Sequence, residues 1–223
     1  MITKAQKIHF VGIKGIAMAA LAVWAKEAGK IVTGTDVAQH FPSDEVLQTA
    51  GVTFEVGFDP KHIDRYRPDI VIYTGAHEGQ DNVEVKRAKE LRIPVLPHGK
   101  ALGVAMEGKR QITVAGSHGK TTVTAMIATI LSLAGLDPSY VIGSGMVRGL
   151  GLPGHFGAGD WFVAEGDEYV TDPGHDETPR FLWQKPEILV ITNIDFDHPD
   201  VYPDMTAVVA AFKKLVSQSG TVI

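Results

Sequence analysis

The sequence predicts an α/β protein made of two parallel-sheet units in succession. Three observations predict it. From Ile8 to Leu96, short β-branched runs alternate with segments of good helix formers about ten residues long. The alternation restarts at Gln111, after the polar stretch Glu107-Gly108-Lys109. Each series also opens with a strand that runs into a glycine-containing turn and then a helix. The expected units are residues 1–107 and 108–223.

In the first unit, Ile8 to Val11 reads as a strand and Ile16 to Ala28, rich in Ala, Leu and Met, as a helix. Gly29 stands where a helix-terminating glycine belongs. Ile31 to Thr35 reads as the second strand, ending at Asp36. Ser43 is expected to cap a helix over Asp44 to Ala50, whose first turn carries Asp44 and Glu45. Ile70 to Thr74 is a strand, Asn82 to Leu91 a helix and Ile93 to Leu96 a further strand. In the second unit, Gln111 to Ala115, Trp161 to Ala164 and Ile188 to Thr192 read as buried strands, and Lys120 to Ala134 as a long helix. Gly220 to Ile223 reads as the start of another strand, so the second unit is expected to be truncated and a C-terminal domain absent.

Composition narrows the function. With 44% hydrophobic and 21% charged residues, the 223-residue chain can fill a core and is not disordered. A net charge of -5 argues against a general nucleic-acid binder. The absence of cysteine excludes disulfides, thiolate catalysis and cysteine-bound zinc. Lys4 and Lys7 precede an apolar stretch that resembles a secretory signal, but Lys14 and two glycines interrupt it. No run reaches the roughly 20 apolar residues that span a bilayer. The reading is cytoplasmic, with no membrane partner.

The strongest local signal is Gly116-Ser117-His118-Gly119-Lys120-Thr121-Thr122, between strand and helix. Converging backbone N–H groups at a helix N-terminus suit a phosphate. Lys120 supplies charge to the β/γ-phosphates, and the Thr121 hydroxyl suits magnesium. The usual phosphate-loop pattern would place glycine at position 114, where this chain has valine. Two acidic clusters follow strands, Glu165-Gly166-Asp167-Glu168 and Asn193-Ile194-Asp195-Phe196-Asp197-His198. Parallel strands bring both to the phosphate-loop edge, where carboxylates hold magnesium.

In the first unit, Gly12 and Gly15 allow a diphosphate to approach the helix N-terminus, and Asp36 is placed to accept from a ribose hydroxyl. A Rossmann-like nucleotide site follows. Lys14 and Ala17 break the dinucleotide glycine pattern, which argues against an NAD enzyme. Trp24 and Met18 read as core, and Arg148, in a glycine-rich loop, as either an anion contact or a solvated arginine.

Together these segments resemble the Mur ligase family over essentially the whole chain. Gly116 to Thr122 resembles its shortened G-T-x-G-K-T-T phosphate loop, Glu165 to Glu168 its E-A-D-E segment, and Thr192 to His198 its T-N-I-x-x-D-H segment. Gly12-Ile13-Lys14-Gly15-Ile16-Ala17-Met18 resembles the G-I-G-G-x-G-M opening of the branch that joins L-alanine to UDP-N-acetylmuramate. The departures are Lys14 and Ala17 for glycine, Gly166 for alanine, Tyr169 after the acidic segment, and a longer stretch from Tyr169 to Phe181. Tyr169 is shared with the branch that attaches a recycled tripeptide.

The resemblance implies an ATP-dependent ligase of peptidoglycan synthesis acting through an acyl phosphate. ATP would lie on Gly116 to Thr122, and Lys120, Asn193 and His198 would serve catalysis. Mg2+ would be held by Thr121 and Glu165, with a second ion on His198. Gly12, Lys14, Gly15, Ile16, Met18 and Asp36 would hold the uridine diphosphate of UDP-N-acetylmuramate, and the second substrate would be an amino acid or peptide. The family's C-terminal domain helps form the amino-acid site, so this chain alone is expected to bind but turn over poorly or not at all. Folate-polyglutamate and cyanophycin-type ligases, an NAD(P)-linked oxidoreductase and a non-catalytic nucleotide-binding regulator are the rival readings. The intact Lys120, Glu165 and His198 argue against the last. No motif specifies an oligomeric state.

Overall fold

The computed structural model describes residues 2–223. After a 3-10 turn (Ile2–Lys4), its elements in chain order begin with β1 (Lys7–Val11), α1 (Ile16–Glu27), β2 (Ile31–Asp36), α2 (Ser43–Thr49), β3 (Glu55–Val56) and α3 (Pro60–Tyr66). There follow β4 (Ile70–Tyr73), α4 (Val83–Glu90), β5 (Val95–Pro97), α5 (His98–Met106), β6 (Arg110–Ala115) and α6 (Lys120–Leu133). The chain continues through β7 (Ser139–Val141), β8 (Gly154–His155), β9 (Trp161–Gly166), β10 (Val170–Asp172) and β11 (Asp176–Pro179). A 3-10 turn (Arg180–Trp183), β12 (Ile188–Ile191), α7 (Met205–Ser217) and β13 (Thr221–Val222) complete it.

Among the described residues the first sheet has five strands, ordered β3-β2-β1-β4-β5, with every pairing parallel. The order reverses between β1 and β4, the switch point beside which open α/β sheets bind ligands. The second sheet is ordered β13-β12-β6-β9-β7-β8 and is parallel except for β8. β10 and β11 form a separate antiparallel hairpin. Glu107-Gly108-Lys109 falls in the turn between α5 and β6.

α1 explains how the two sheets meet. Every residue from Met18 to Ala25 is buried, so the helix is covered all round rather than on one face. Its alanines let the backbone approach: a Cβ on Gly154 of β8 would collide with the Ala20 carbonyl. One core therefore runs from Ile8, Phe10 and Leu21 to Val141, Phe162 and Ala164 of the second sheet. Trp24 packs there as expected, 5.8 Å from the Phe162 ring.

Several local expectations are corrected. Ser43 lies inside α2 rather than capping it, and its hydroxyl donates to the Lys14 carbonyl at 2.5 Å. The strand expected over Ile93 to Leu96 is shifted to Val95–Pro97, because the register is set by pairing with Val71 to Tyr73. α5 was not expected, since Gly99 and Gly103 disfavour a helix by propensity. They occur there because the 3-10 turn lies on them: a Cβ on Gly103 would strike the Trp183 carbonyl. No helix among the described residues is long and apolar enough to cross a membrane.

Candidate functional site

β6, β9 and β12 are parallel neighbours, so their C-terminal ends share one edge of the second sheet. From that edge emerge the turn Gly116 to Gly119, the acidic segment ending at Glu168, and the segment Thr192 to His198. Gly116 (φ +133°) and Gly119 (φ +84°) adopt backbone that other residues resist. A Cβ on Gly116 would also strike the Thr192 hydroxyl, so the first and third segments fit only with glycine between them. The third segment is stitched to the turn. His118 N–H donates to Asn193 Oδ1 (2.9 Å), Thr192 Oγ1 donates to His118 O (2.6 Å), and Asp195 N–H donates to Ser117 Oγ (2.9 Å). Asn193 thus shapes the loop.

Lys120 opens α6 and reaches back across the turn. Its Nζ donates to Gly116 O at 2.6 Å and to Glu168 Oε2 at 3.0 Å. Thr121 Oγ1 donates to Glu165 Oε2 (3.0 Å), and Gly143 N–H donates to Glu165 Oε1 (2.6 Å). Burial pushes the Glu165 carboxyl above its ordinary range, partly offset by these two donors and by Lys120. Asp167 is also desolvated, but the Arg180 guanidinium, 2.7 Å away, leaves it below the usual carboxylate range. Its backbone partner is the Tyr169 N–H.

The expected metal residues fall into two places. Thr121 and Glu165 lie together, whereas His198 joins Glu168 and Asp197. One ligand atom from each of these three lies within 4.8 Å of the others. His198 is held in left-handed backbone (φ +58°) with Nε2 3.6 Å from Glu168 Oε1. Two carboxylates and an imidazole so close fit a divalent cation. Glu168 and Asp197 were legible as acids after strands, but only the fold singles them out from their neighbours.

At the first sheet, Gly12 (φ +79°) turns the chain where a Cβ would collide with Thr74, and Gly15 and Ile16 are exposed at the start of α1. Three expected contacts are redirected. Lys14 is buried, and its Nζ donates to Val37 O (3.0 Å) and Gln39 O (2.8 Å), clamping the loop after β2. Asp36 is buried, accepting from Lys14 N–H (2.6 Å) and Val37 N–H (2.7 Å), so its carboxylate shapes the turn. Met18 is core, as its place on an apolar helix indicates.

Between the sheets lies a cleft of about 240 Å³. It is lined by Ile16 and Ala17 of α1, His98 of α5, and Lys120, Glu165, Asp167 and Arg180. It connects the α1 N-terminus to the phosphate-loop lysine. His98 and Arg180 belong to no local motif, and only their meeting at the cleft marks them.

Comparison with known proteins agrees with this geometry. UDP-N-acetylmuramate–L-alanine ligase of Desulfitobacterium hafniense (strain Y51) is 43% identical over 212 residues, 95% of this chain and 44% of that protein. The Aquifex aeolicus (strain VF5) enzyme of the same name is 36% identical over 212 residues, with the same coverage of 95% and 44%. The chain spans less than half the length of these curated relatives. Among solved structures, UDP-N-acetylmuramate:L-alanyl-gamma-D-glutamyl-meso-diaminopimelate ligase from Neisseria meningitides superposes with a TM-score of 0.85 at 30% identity, covering 96% of this chain and 68% of that one. UDP-N-acetylmuramate-alanine ligase from Thermotoga maritima gives 0.81 at 31%, covering 97% and 48%. Residues 7–110 match the Mur ligase family's catalytic domain and residues 114–222 the Mur ligase middle domain, so the sheet edge and cleft described above are those of a chain that belongs to the Mur ligase family.

Proposed function

We propose that this chain carries the nucleotide-sugar and ATP sites of an ATP-dependent ligase that joins L-alanine to UDP-N-acetylmuramate. The observation that carries the reading is the single cleft running from the first turn of α1 to Lys120 and Glu165. A diphosphate at that turn would leave its sugar in the cleft and the sugar's carboxylate facing the phosphate loop. The units are residues 1–107 for the nucleotide sugar and 108–223 for ATP.

In the reaction, the substrate carboxylate attacks the γ-phosphorus of ATP, ADP leaves, and an amine displaces phosphate from the acyl phosphate to give the amide. The backbone of Gly116 to Thr122 cradles the phosphates, and Lys120 faces charge that spreads over the transferred oxygens. Thr121 and Glu165 would hold one magnesium ion and His198, with Glu168 and Asp197, a second, whose charge neutralises the phosphates. Asn193 keeps the loop in shape through His118. Gly12, Gly15 and Ile16 would receive the diphosphate.

A second reading has a specific observation behind it. The β10–β11 hairpin lengthens the segment after Tyr169, and the neisserial structure gives the higher TM-score of the two compared above. An enzyme that attaches a peptide rather than L-alanine would share the same acceptor.

Calorimetry on the chain separates these readings from their rivals. Saturable binding of UDP-N-acetylmuramate and of magnesium-ATP, but not NADP, is the expected result. Binding of NADP in place of the nucleotide sugar would overturn it. Including the Tyr169-to-Phe181 segment in a chimera of a full-length L-alanine ligase, and testing which amine it accepts, decides between amino acid and peptide.

A further inference from the structure

The wall of the cleft contributed by α5 carries a group that the phosphate-transfer chemistry does not use. His98 is the first residue of α5 and lines the cavity shared with Lys120 and Glu165. Its Nε2 is buried and has no hydrogen-bond partner. A buried polar atom without a partner is costly, and native structures retain one where something else completes it.

Its surroundings fix both its position and its charge state. The 3-10 turn packs on α5 through Gly99 and Gly103, which holds Arg180 against the same wall. Arg180 is itself tied down, with Nε donating to Val170 O at 3.1 Å and Nη1 to Asp167 Oδ2 at 2.7 Å. Burial and then the Arg180 charge push the imidazole down to about 4, against the pull of Asp167 and the Ala17 backbone. Near neutrality the ring is uncharged and a poor base, so proton abstraction from an amine is not its task. A neutral imidazole offers one donor nitrogen and one acceptor nitrogen.

Resting on the nucleotide-sugar reading above, we infer that His98 is a specificity-determining residue of the cleft, its Nε2 hydrogen-bonding a hydroxyl or amide of the ligand's amino-sugar ring. The sugar is the part of a nucleotide sugar that lies between a diphosphate at the α1 N-terminus and a carboxylate at Lys120, which is where His98 stands. A site built to hydrogen-bond a ligand polar group discriminates strongly, because the unmatched partner is left buried and unpaired.

The test compares UDP with UDP-N-acetylmuramate on this chain and on His98→Phe, which keeps a ring of similar shape. The expected result is a ten- to hundredfold weaker affinity for the nucleotide sugar in the variant, with UDP affinity unchanged within about twofold. His98→Gln, which retains polar atoms, should recover part of the loss. In the wild-type chain, the His98 Nε2 nitrogen resonance should move on adding UDP-N-acetylmuramate and stay put with UDP, a readout independent of any variant's folding. Equal affinities in His98→Phe and wild type, an equal loss for UDP, or an unmoved resonance at saturation overturns the inference while leaving the nucleotide-sugar reading intact. A wild-type chain that binds no nucleotide sugar removes both.

Discussion

Lys120 Nζ lies 3.0 Å from Glu168 Oε2, and the carboxylate side chain is 3% exposed. The phosphate-loop lysine is thus half of a desolvated ion pair before any ligand is considered. Removing one partner of such a pair costs far more than the pair contributes, typically about 3–5 kcal/mol. Lys120→Met should therefore destabilise the chain by about 3 kcal/mol as well as abolish ATP binding. Lys120→Met with Glu168→Gln should recover most of the stability and none of the binding. Urea unfolding and ATP calorimetry on the three variants check this, and additive stabilities would contradict it.

The metal group makes a separate prediction. His198→Ala and Asp197→Asn each remove one of three clustered ligand atoms. Manganese binding, followed by paramagnetic relaxation of water in the presence of ATP, should weaken about tenfold or more in each. Glu187→Gln, remote from the cluster and paired with Arg110, should leave it unchanged.

In the first sheet Glu84 is fully buried and accepts from Thr35 Oγ1 (2.6 Å), Asp59 N–H (3.0 Å) and His62 Nδ1 (2.7 Å), with His9 Nε2 3.2 Å away. Burial alone would raise its pKa, but its partners, His9 and Thr35 foremost, leave it lowered. A carboxyl lowered by folding contributes stability above its unfolded pKa and loses it as pH falls through the folded value. The loss should begin below about pH 4.5. Glu84→Gln should lower the melting temperature at pH 7 by roughly 5–10 °C and flatten the decline below pH 4.5. A parallel decline in both proteins would refute the assignment.

The β10–β11 hairpin yields a fourth. Buried Asp172 accepts from the Tyr73 hydroxyl (3.1 Å) and Gln80 N–H (3.1 Å), and Gly79 leaves no room for a Cβ beside it. Burial and the Asp172 charge together push the Tyr73 phenol above its ordinary range. Asp172→Ala should destabilise by about 2–4 kcal/mol and raise hydrogen exchange in Ala76 to Asp81 more than in β1. Uniformly increased exchange would show that the contact does not act locally.

What the sequence disclosed follows the range of the physics. Gly116 to Thr122 was readable because the turn, the helix start and Lys120 are consecutive. The acids after β9 and β12 were readable because parallel strands share an edge. Lys14, Asp36 and α5 were not. Lys14 finds its partners some 25 residues away in the loop after β2, and α5 contains glycines that only the distant Arg180 and Trp183 explain. His98 was illegible for the same reason: the cleft it lines is completed by Arg180 and Lys120, which sequence spacing does not bring near.

The burial of α1 on all sides has an evolutionary implication. Ala20, Ala22 and Ala25 belong to a helix packed on the first sheet and on β7 and β8, so their small size answers to both. A recombination event at Glu107 that brought in a foreign nucleotide-binding half would present β8 with a helix shaped for another neighbour. The two halves are therefore expected to descend as a pair, with substitutions in α1 matched by substitutions around Gly154 and Phe162.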